Sequence, residues 1–348
     1  MYIQFTVYAL LNQALQKIWI MVNGLQFIVI LPLIPVQYSA NAKIFLGNLI
    51  NIANFDIIPT DLFYPYIFEF EETEPFNYEF EQLGFESIYL AEAMGTIFVL
   101  THLFVVCYVF VILFYFLRNT CSCAFRFSLW LNRKFLWNLL IIFIMEAYIE
   151  IGLLSMAVIK RWDYDPESSI NDRMNHYYAV GYLIIMMIYP FWVTFIYVYN
   201  RKKLDRKEFK LRFGGPFNGL KKLRGFSSFF FFGFYILRRF IIILLLTLNE
   251  GEIYFTWASY FYTTIAQLCF LLHTKPFYEP SRNRTEVFNE IVIMVLVVPT
   301  LCFTEVMDPG PQEKVGYYII GMVVLYLLVH LYILSSDSLG KLYDLIWL

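Results

Sequence analysis

Charge is scarce in this chain. Asp, Glu, Lys and Arg make up 16% of its 348 residues, where a water-soluble domain carries about a quarter. With 59% of residues hydrophobic and a positive mean hydropathy, water is not its main solvent. Cysteine is too sparse for a disulfide framework: Cys107, Cys269 and Cys302 fall inside apolar runs, and Cys121 and Cys123 lie in a basic loop, as free thiols or palmitoylation sites. His102, His176, His273 and His330 are isolated from one another, with no metal-ligand spacing, and read as packed or interfacial side chains. Neither they nor any metalloprotease, kinase or hydrolase motif points to an enzyme. Gly214 and Gly215 lack the Gly-Lys-Ser/Thr ending of a phosphate loop. Basic residues are dispersed among short loops and the net charge is -2, which argues against nucleic acid as a partner. No positively charged region precedes the first apolar stretch, so that stretch reads as a retained anchor.

What the sequence does contain is a succession of apolar runs. A hydrocarbon core about 30 Å thick takes roughly 20 residues of helix. Runs of that size predict helices at 11–34, 91–117, 134–160, 177–200, 227–248, 252–273, 286–307 and 315–335. The expected fold is an all-α polytopic transmembrane bundle of about eight spans. Four parts follow: 1–90, the first span with a long outer segment; 91–200, a three-span bundle; 201–226, a basic linker; and 227–348, four spans with a short tail. The 37 Phe and 27 Tyr suit lipid-facing surfaces and interfacial belts, and lipid is the first expected partner.

Loop charge predicts the orientation. Arg118, Arg126, Arg133 and Lys134 follow the second span, a run from Arg201 to Arg224 follows the fourth, and Lys275, Arg282 and Arg284 follow the sixth. The positive-inside rule puts all three loops and both termini in the cytosol. The segment between Gln37 and Leu90 then lies outside, with Asp56, Asp61, Glu69, Glu71, Glu72, Glu74, Glu79, Glu81 and Glu86 against one Lys43. It reads as a solvated acidic face or as a cation-attracting vestibule. The Asn283-Arg284-Thr285 sequon falls on the cytosolic side and reads as unused.

Charges within the apolar runs are the candidate functional residues, because a charge at mid-membrane costs about 2.5 to 3.5 kcal/mol and turns inward to pair. Arg238 and Arg239 lie about a dozen residues into the fifth span, and Glu146 lies at a similar depth in the third. An interhelical ion pair at that level is expected, with at most one arginine meeting Glu146 directly. Glu150, four residues on, shares the Glu146 face. The pair reads as a packing device or as part of a gate or permeation path, with anionic lipid contact by the arginines as a further alternative. Glu286 and Glu290, one turn apart at the start of the seventh span, suit the positive end of a helix dipole. Alternatively they form a cytosolic cation site with Asn289 and Gln267, oxygen ligands suited to calcium. Pro190 and Pro299 favour kinks, and Gly316 and Gly321 permit close approach in the last span. Lys221, Lys222 and Arg224 read as a short basic helix on the inner leaflet, or simply as cytosolic loop charge.

Three stretches carry a family resemblance. The first runs from Leu25-Gln26-Phe27-Ile28-Val29-Ile30-Leu31-Pro32-Leu33-Ile34 through Ala40-Asn41-Ala42 and Phe55-Asp56-Ile57-Ile58-Pro59-Thr60-Asp61 to Phe80-Glu81-Gln82-Leu83-Gly84-Phe85-Glu86-Ser87. The second is Arg212-Phe213-Gly214-Gly215-Pro216-Phe217-Asn218-Gly219-Leu220 leading to Leu237-Arg238-Arg239, and the third runs from Lys275-Pro276-Phe277 to Glu286-Val287-Phe288-Asn289-Glu290. Together they resemble a ciliate membrane module found at the C-terminus of cysteine-rich surface proteins and related to the fungal TRP-like domain. The large cysteine-rich ectodomain that usually precedes the module is missing, which is the pattern of a stand-alone or truncated version. The resemblance implies a TRP-like cation channel domain, calcium among the candidate ions, in a cell-surface or endomembrane location. A carrier of lipid or small molecules on the same fold, or a non-conducting subunit of a larger assembly, organellar membranes included, are the alternatives. A channel with a central pore requires identical copies, so a homo-oligomer belongs to the first reading.

Overall fold

The structure is a computed structural model that describes residues 2–53, 58, 60, 64, 75–85, 87–117, 122–161, 169–200, 202–203, 206, 209, 213, 219–221, 230–249, 252–304 and 307–346. All regular elements among them are helical. In chain order they are α1 (Tyr2–Val29), a 3₁₀ turn (Leu31–Leu33), α2 (Ala40–Ala53), α3 (Tyr78–Gln82), α4 (Leu90–Ala93), α5 (Gly95–Phe116) and α6 (Ser122–Trp130). There follow a π-helical stretch (Leu131–Leu139), α7 (Leu140–Glu146), α8 (Tyr148–Lys160), α9 (Ile170–Asn200), α10 (Phe230–Leu248) and α11 (Ile253–Thr274). The last are α12 (Pro280–Val297), a second 3₁₀ turn (Val298–Phe303) and α13 (Pro309–Ile346).

Among the described residues, six stretches are long and apolar enough to cross a membrane: Ala14–Leu33, Gly95–Phe116, Ile170–Asn200, Phe230–Leu248, Pro280–Phe303 and Pro309–Ser336. The expected third span passes the same test only as a pair, Trp137–Glu146 and Tyr148–Lys160, bent by 62°. The expected sixth span is α11, whose 22 residues cover about 33 Å at 1.5 Å each. Its Thr256, Thr263, Thr264 and Gln267 make it less apolar than the six, and it packs between α10 and α12.

The interior is built where α8 packs on α9 and α10, and where α1 packs on α12 and α13. Gly24 shows how closely α1 and α13 approach, since a Cβ there would lie 2.3 Å from the Tyr326 hydroxyl. Gly316 likewise leaves room for Ser39 and Asn41, whereas Gly321 faces open space. Part of the expected outer segment is helical and packed inward: α2 lies against α1 and α13, burying Ala42, Leu46, Ile50 and Ala53 at helical spacing. Lys43 on α2 stands 4.7 Å over the Tyr78 ring. Burial lowers its pKa from the usual 10.5, with Glu79 pulling the other way. Of the acidic residues in that segment, Glu79 and Glu81 belong to the first turn of α3, capped by Asn77; Asp56, Asp61, Glu69, Glu71, Glu72, Glu74 and Glu86 lie outside the described residues.

The two prolines act differently. α9 is continuous through Pro190, and the Thr194 hydroxyl donates to the Pro190 carbonyl at 2.7 Å. At Pro299 the α-helix gives way to the tighter second 3₁₀ turn, as a residue without an N–H favours.

Candidate functional site: a charged level at a broken span

Adjacent residues on a helix point about 100° apart, so Arg238 and Arg239 leave α10 in different directions. Arg238 turns toward α11 and α12. Its Nη1 donates to both carboxylate oxygens of Glu290 at 2.7 Å, and its Nη2 donates to the Thr264 hydroxyl at 3.1 Å. Both partners of this ion pair are buried. Arg239, fully buried, turns toward α1 and α7. It donates to the Met145 carbonyl and to Asn23 Oδ1, each at 2.9 Å, and to the Tyr235 hydroxyl one turn earlier on α10. The Phe27 ring of α1 lies between them, 4.2 Å from the Arg238 guanidinium and 5.5 Å from that of Arg239. Such cation–π contact stabilises guanidinium groups that have lost their water.

The break at Ala147 explains why Arg239 reaches the backbone. Ending α7 there frees the carbonyls of the residues before it, and an unpaired carbonyl in hydrocarbon costs several kcal/mol. Met145 O is taken by Arg239, and Glu146 O by Gln26 Nε2 at 2.9 Å. Gln26 also donates to Ala53 O at 3.1 Å, tying α2 to the same point. Neither Pro nor Gly stands at the break; tertiary partners hold it open.

The Glu146 side chain faces a cavity of about 80 Å³ between α1, α7, α10 and α12, whose walls include Gln16, Trp19, Asn23, Tyr235, Arg282 and Glu286. Asn23 lines the cavity beside Glu146, whose Oε2 is buried without a hydrogen-bond partner. Arg282 stands one turn before Glu286 on α12 as its counter-charge, with its guanidinium 3.8 Å above the Phe277 ring.

Several expectations need correction against this geometry. The level expected for the arginines and Glu146 is a real meeting point, but the direct ion pair of Arg238 is with Glu290, because α12 rather than α7 lies on that side of α10. Glu150 does not share a continuous helix face with Glu146: the bend falls between them, and Glu150 is buried on α8. Glu286, Glu290, Asn289 and Gln267 do not make one set of cation ligands. Glu290 is occupied by Arg238, and Glu286 lines the cavity instead. Asn289 spends its amide on Ile20 O at 2.9 Å and its oxygen on His330 Nε2 at 2.8 Å, linking α1, α12 and α13. Gln267 is buried on α11 and its Oε1 has no hydrogen-bond partner. Among the described residues no group of three or more His, Cys, Asp or Glu is placed to hold a metal ion.

Of the basic linker, Lys222 and Arg224 lie outside the described residues. Lys221 is not helical: its N–H donates to Pro276 O at 2.7 Å, beside a bridge pairing Leu220 with Phe277. Gly219, at φ +86°, makes the turn into this bridge, which a side chain would strain. Leu220 and Phe277 are both buried, so the linker is tucked into the bundle at this point. The sequon's Asn283 is also buried, bracing Phe277 through its N–H at 3.0 Å and its carbonyl at 2.7 Å.

Sequence reasoning missed Asn23, Gln26, Phe27, Tyr235 and Arg282. Tyr235 had a signal, being four residues from Arg239. Asn23 and Gln26 are lone amides in an apolar run and carry the signal of buried charge in weaker form. Phe27 had none in a chain so rich in Phe. No family model, no curated protein and no solved structure matches the chain.

Proposed function

We propose that this chain is a polytopic membrane transport protein that moves cations past the charged level, with eight spans counting α11 and the bent pair. The observation that carries the reading is the broken span: α7 and α8 bend by 62° at Ala147, beside a cavity lined by Glu146 and Glu286. Irregular backbone at membrane depth is tolerated where it is held by protein or lines a cavity, and discontinuous helices of this kind frame ion and substrate sites in transporters. A TRP-like channel domain with both termini in the cytosol, embedded in lipid and assembled from identical copies, is the form this reading takes. Under it the Arg282 end of α12 faces the cytosol, and the cavity opens toward that side.

A second reading, a carrier on the same fold, is favoured by the pairing of Arg238 with Glu290. Acidic groups held by arginine give a closed, compensated interior, which suits alternating access better than an open pore. Purified protein in liposomes and planar bilayers separates the two. Unitary current steps under a sodium, potassium or calcium gradient support the channel, and saturable flux without steps supports the carrier. Flux equal to that of protein-free liposomes under every gradient, voltage and tension contradicts cation transport.

A further inference from the structure

We infer that α2 is a re-entrant control helix: it enters the bundle from the end where α1 stops, docks on Gln26, and so holds the span α7–α8 bent at Ala147. Its withdrawal lets that span close into a straight helix. The inference stands apart from the transport reading; under that reading α2 becomes the outer gate of the charged level.

Two observations carry it, and the first is the path of the chain. α2 starts beside the start of α13, where Asn41 Nδ2 donates to Glu313 O at 3.3 Å. It ends 14 residues later at Ala53, which is fully buried and whose carbonyl accepts from Gln26. Gln26 lies about 10 Å back along α1 from Leu33 at 1.5 Å per residue, so α2 descends into the bundle. The chain then returns to the end it came from. Ile58 N–H donates to Thr96 Oγ1 at 2.9 Å and the Tyr64 hydroxyl donates to Gly95 O at 3.1 Å, both at the start of α5. A segment that enters and leaves on one side is tolerated at membrane depth where protein encloses it. α2 is enclosed on one face: Ala42, Leu46, Ile50 and Ala53 are buried, whereas Ile44, Asn48 and Ile52 are exposed.

The second observation is that one amide caps two helices. Gln26 Nε2 gives both hydrogens to carbonyls at helix ends, Ala53 O of α2 at 3.1 Å and Glu146 O of α7 at 2.9 Å. Two acceptors force this orientation, and they turn Gln26 Oε1 to a buried position where it has no donor among the described residues. A buried oxygen left unpaired is costly. When α2 withdraws, one acceptor goes with it, and the amide is free to turn and release Glu146 O.

The released carbonyl has a partner one turn on. Nothing in Glu146-Ala147-Tyr148 breaks a helix, and in a straight one Glu150 N–H would bond Glu146 O and Ile149 N–H would bond Met145 O. Arg239 then gives up Met145 O but keeps Asn23 and Tyr235. Docking of α2 and bending at Ala147 are thus two faces of one equilibrium, and a change in either shifts the other.

The test is the bend itself, read by electron paramagnetic resonance between two spin labels on the full chain in nanodiscs. Labels carried on a ketone-bearing amino acid at Leu139 and Ile159 leave the native cysteines in place. The backbone separation is about 26 Å for a helix bent by 62° and about 30 Å for a straight one. Gln26→Glu keeps the shape of the side chain but offers at most one donor to the two carbonyls. Leu46→Ala loosens α2 and leaves Gln26, α7 and α8 intact. Each should raise the longer population about threefold or more, while Leu113→Ala on the lipid face of α5 should leave it at the wild-type level. Asn41→Ala, which loosens only the start of α2, should shift the population in the same direction and decides the matter if Gln26→Glu does not fold. An unchanged distribution in Gln26→Glu, a change there with none in either α2 variant, or an equal shift in Leu113→Ala each overturns the inference. Cation flux with no such shift rejects this device and leaves the transport reading standing; the shift without flux does the reverse.

Discussion

The helices α5 and α10 are of similar length, and the more apolar of the two is the less buried. Gly95–Phe116 contains no Asp, Glu, Lys or Arg, and only 22% of its most apolar stretch lies within the protein. Phe230–Leu248 carries two adjacent arginines, and 56% of its stretch is enclosed. In water the ranking would be the reverse. In lipid an all-apolar helix gains little by packing, since hydrocarbon solvates it as well as another helix does, whereas a helix with charge must find partners. α5 is held by its first turns, where Gly95, Thr96, Ile97 and Phe98 are buried and His102 bonds the Phe98 carbonyl and the Tyr178 hydroxyl, and by one narrow face further on, where Phe104 and Val111 are buried against Leu131. Beyond them Val105, Val109, Leu113 and Phe116 are exposed. α10 is enclosed along its length, from Phe231 to Thr247, and Arg238 and Arg239, the residues that make it a poor guest in lipid, are buried at its middle.

The sharpest way to break this contrast is to remove one partner of the buried pair. Glu290→Leu should destabilise the protein by about 3 to 5 kcal/mol, seen as a large fall in the thermal midpoint in detergent, because Arg238 is left buried and unpaired. Arg238→Met combined with Glu290→Leu should recover most of that loss; if the double variant is no better than the single one, the pair is not the cause. Next in size, Arg239→Leu should cost about 2 to 3 kcal/mol by leaving Met145 O without its donor and Asn23 without its partner. Its hydrogen exchange should rise around the break at Ala147, and protection there equal to wild type would contradict the role given to Arg239. Gly24→Ala should cost about 1 to 3 kcal/mol by displacing the Tyr326 hydroxyl, which donates to Met21 O at 2.6 Å. Leu113→Ala on the lipid face of α5 should change the stability by no more than about 0.5 kcal/mol, and a loss as large as that of Gly24→Ala would mean the face is packed.

The smallest effect lies outside the spans. Burial holds the Lys43 pKa below 10.5 in the folded protein. At lower pH both states carry the proton and folding bears the desolvation of the charge. As pH rises through the lowered folded-state value toward 10.5, the folded state sheds the proton first and that penalty disappears, so stability should rise. A Lys43→Met variant should lack this increment in a comparison of midpoints across the alkaline range; an identical slope in both proteins would remove Lys43 as its source.

How much of this was legible in the sequence follows the same divide. Helices that owe their existence to lipid, such as α5 and α13, can be read from their length and apolarity. The depth of the arginines was legible too, because 1.5 Å per residue places them at the level of Glu146. Their partners were not: only the packing of α11 against α10, and of α12 against α11, brings Glu290 rather than Glu146 to Arg238. The break at Ala147 was hidden for the same reason, as Glu146-Ala147-Tyr148 contains no helix breaker and the bend is maintained by Gln26 and Arg239 from other helices. α2 was overlooked although Ala42, Leu46, Ile50 and Ala53 fall at helical spacing, because 14 residues are too few to span and the acidic stretch after it dominated the reading.

The most direct measurement of the central claim is the initial rate of monovalent cation uptake into liposomes carrying wild type, Glu146→Gln or Leu113→Ala at equal protein density. Glu146→Gln should lower the rate about tenfold or more while Leu113→Ala matches wild type. A Glu146→Gln rate equal to wild type, or an equal fall in both variants, would contradict transport along the charged level.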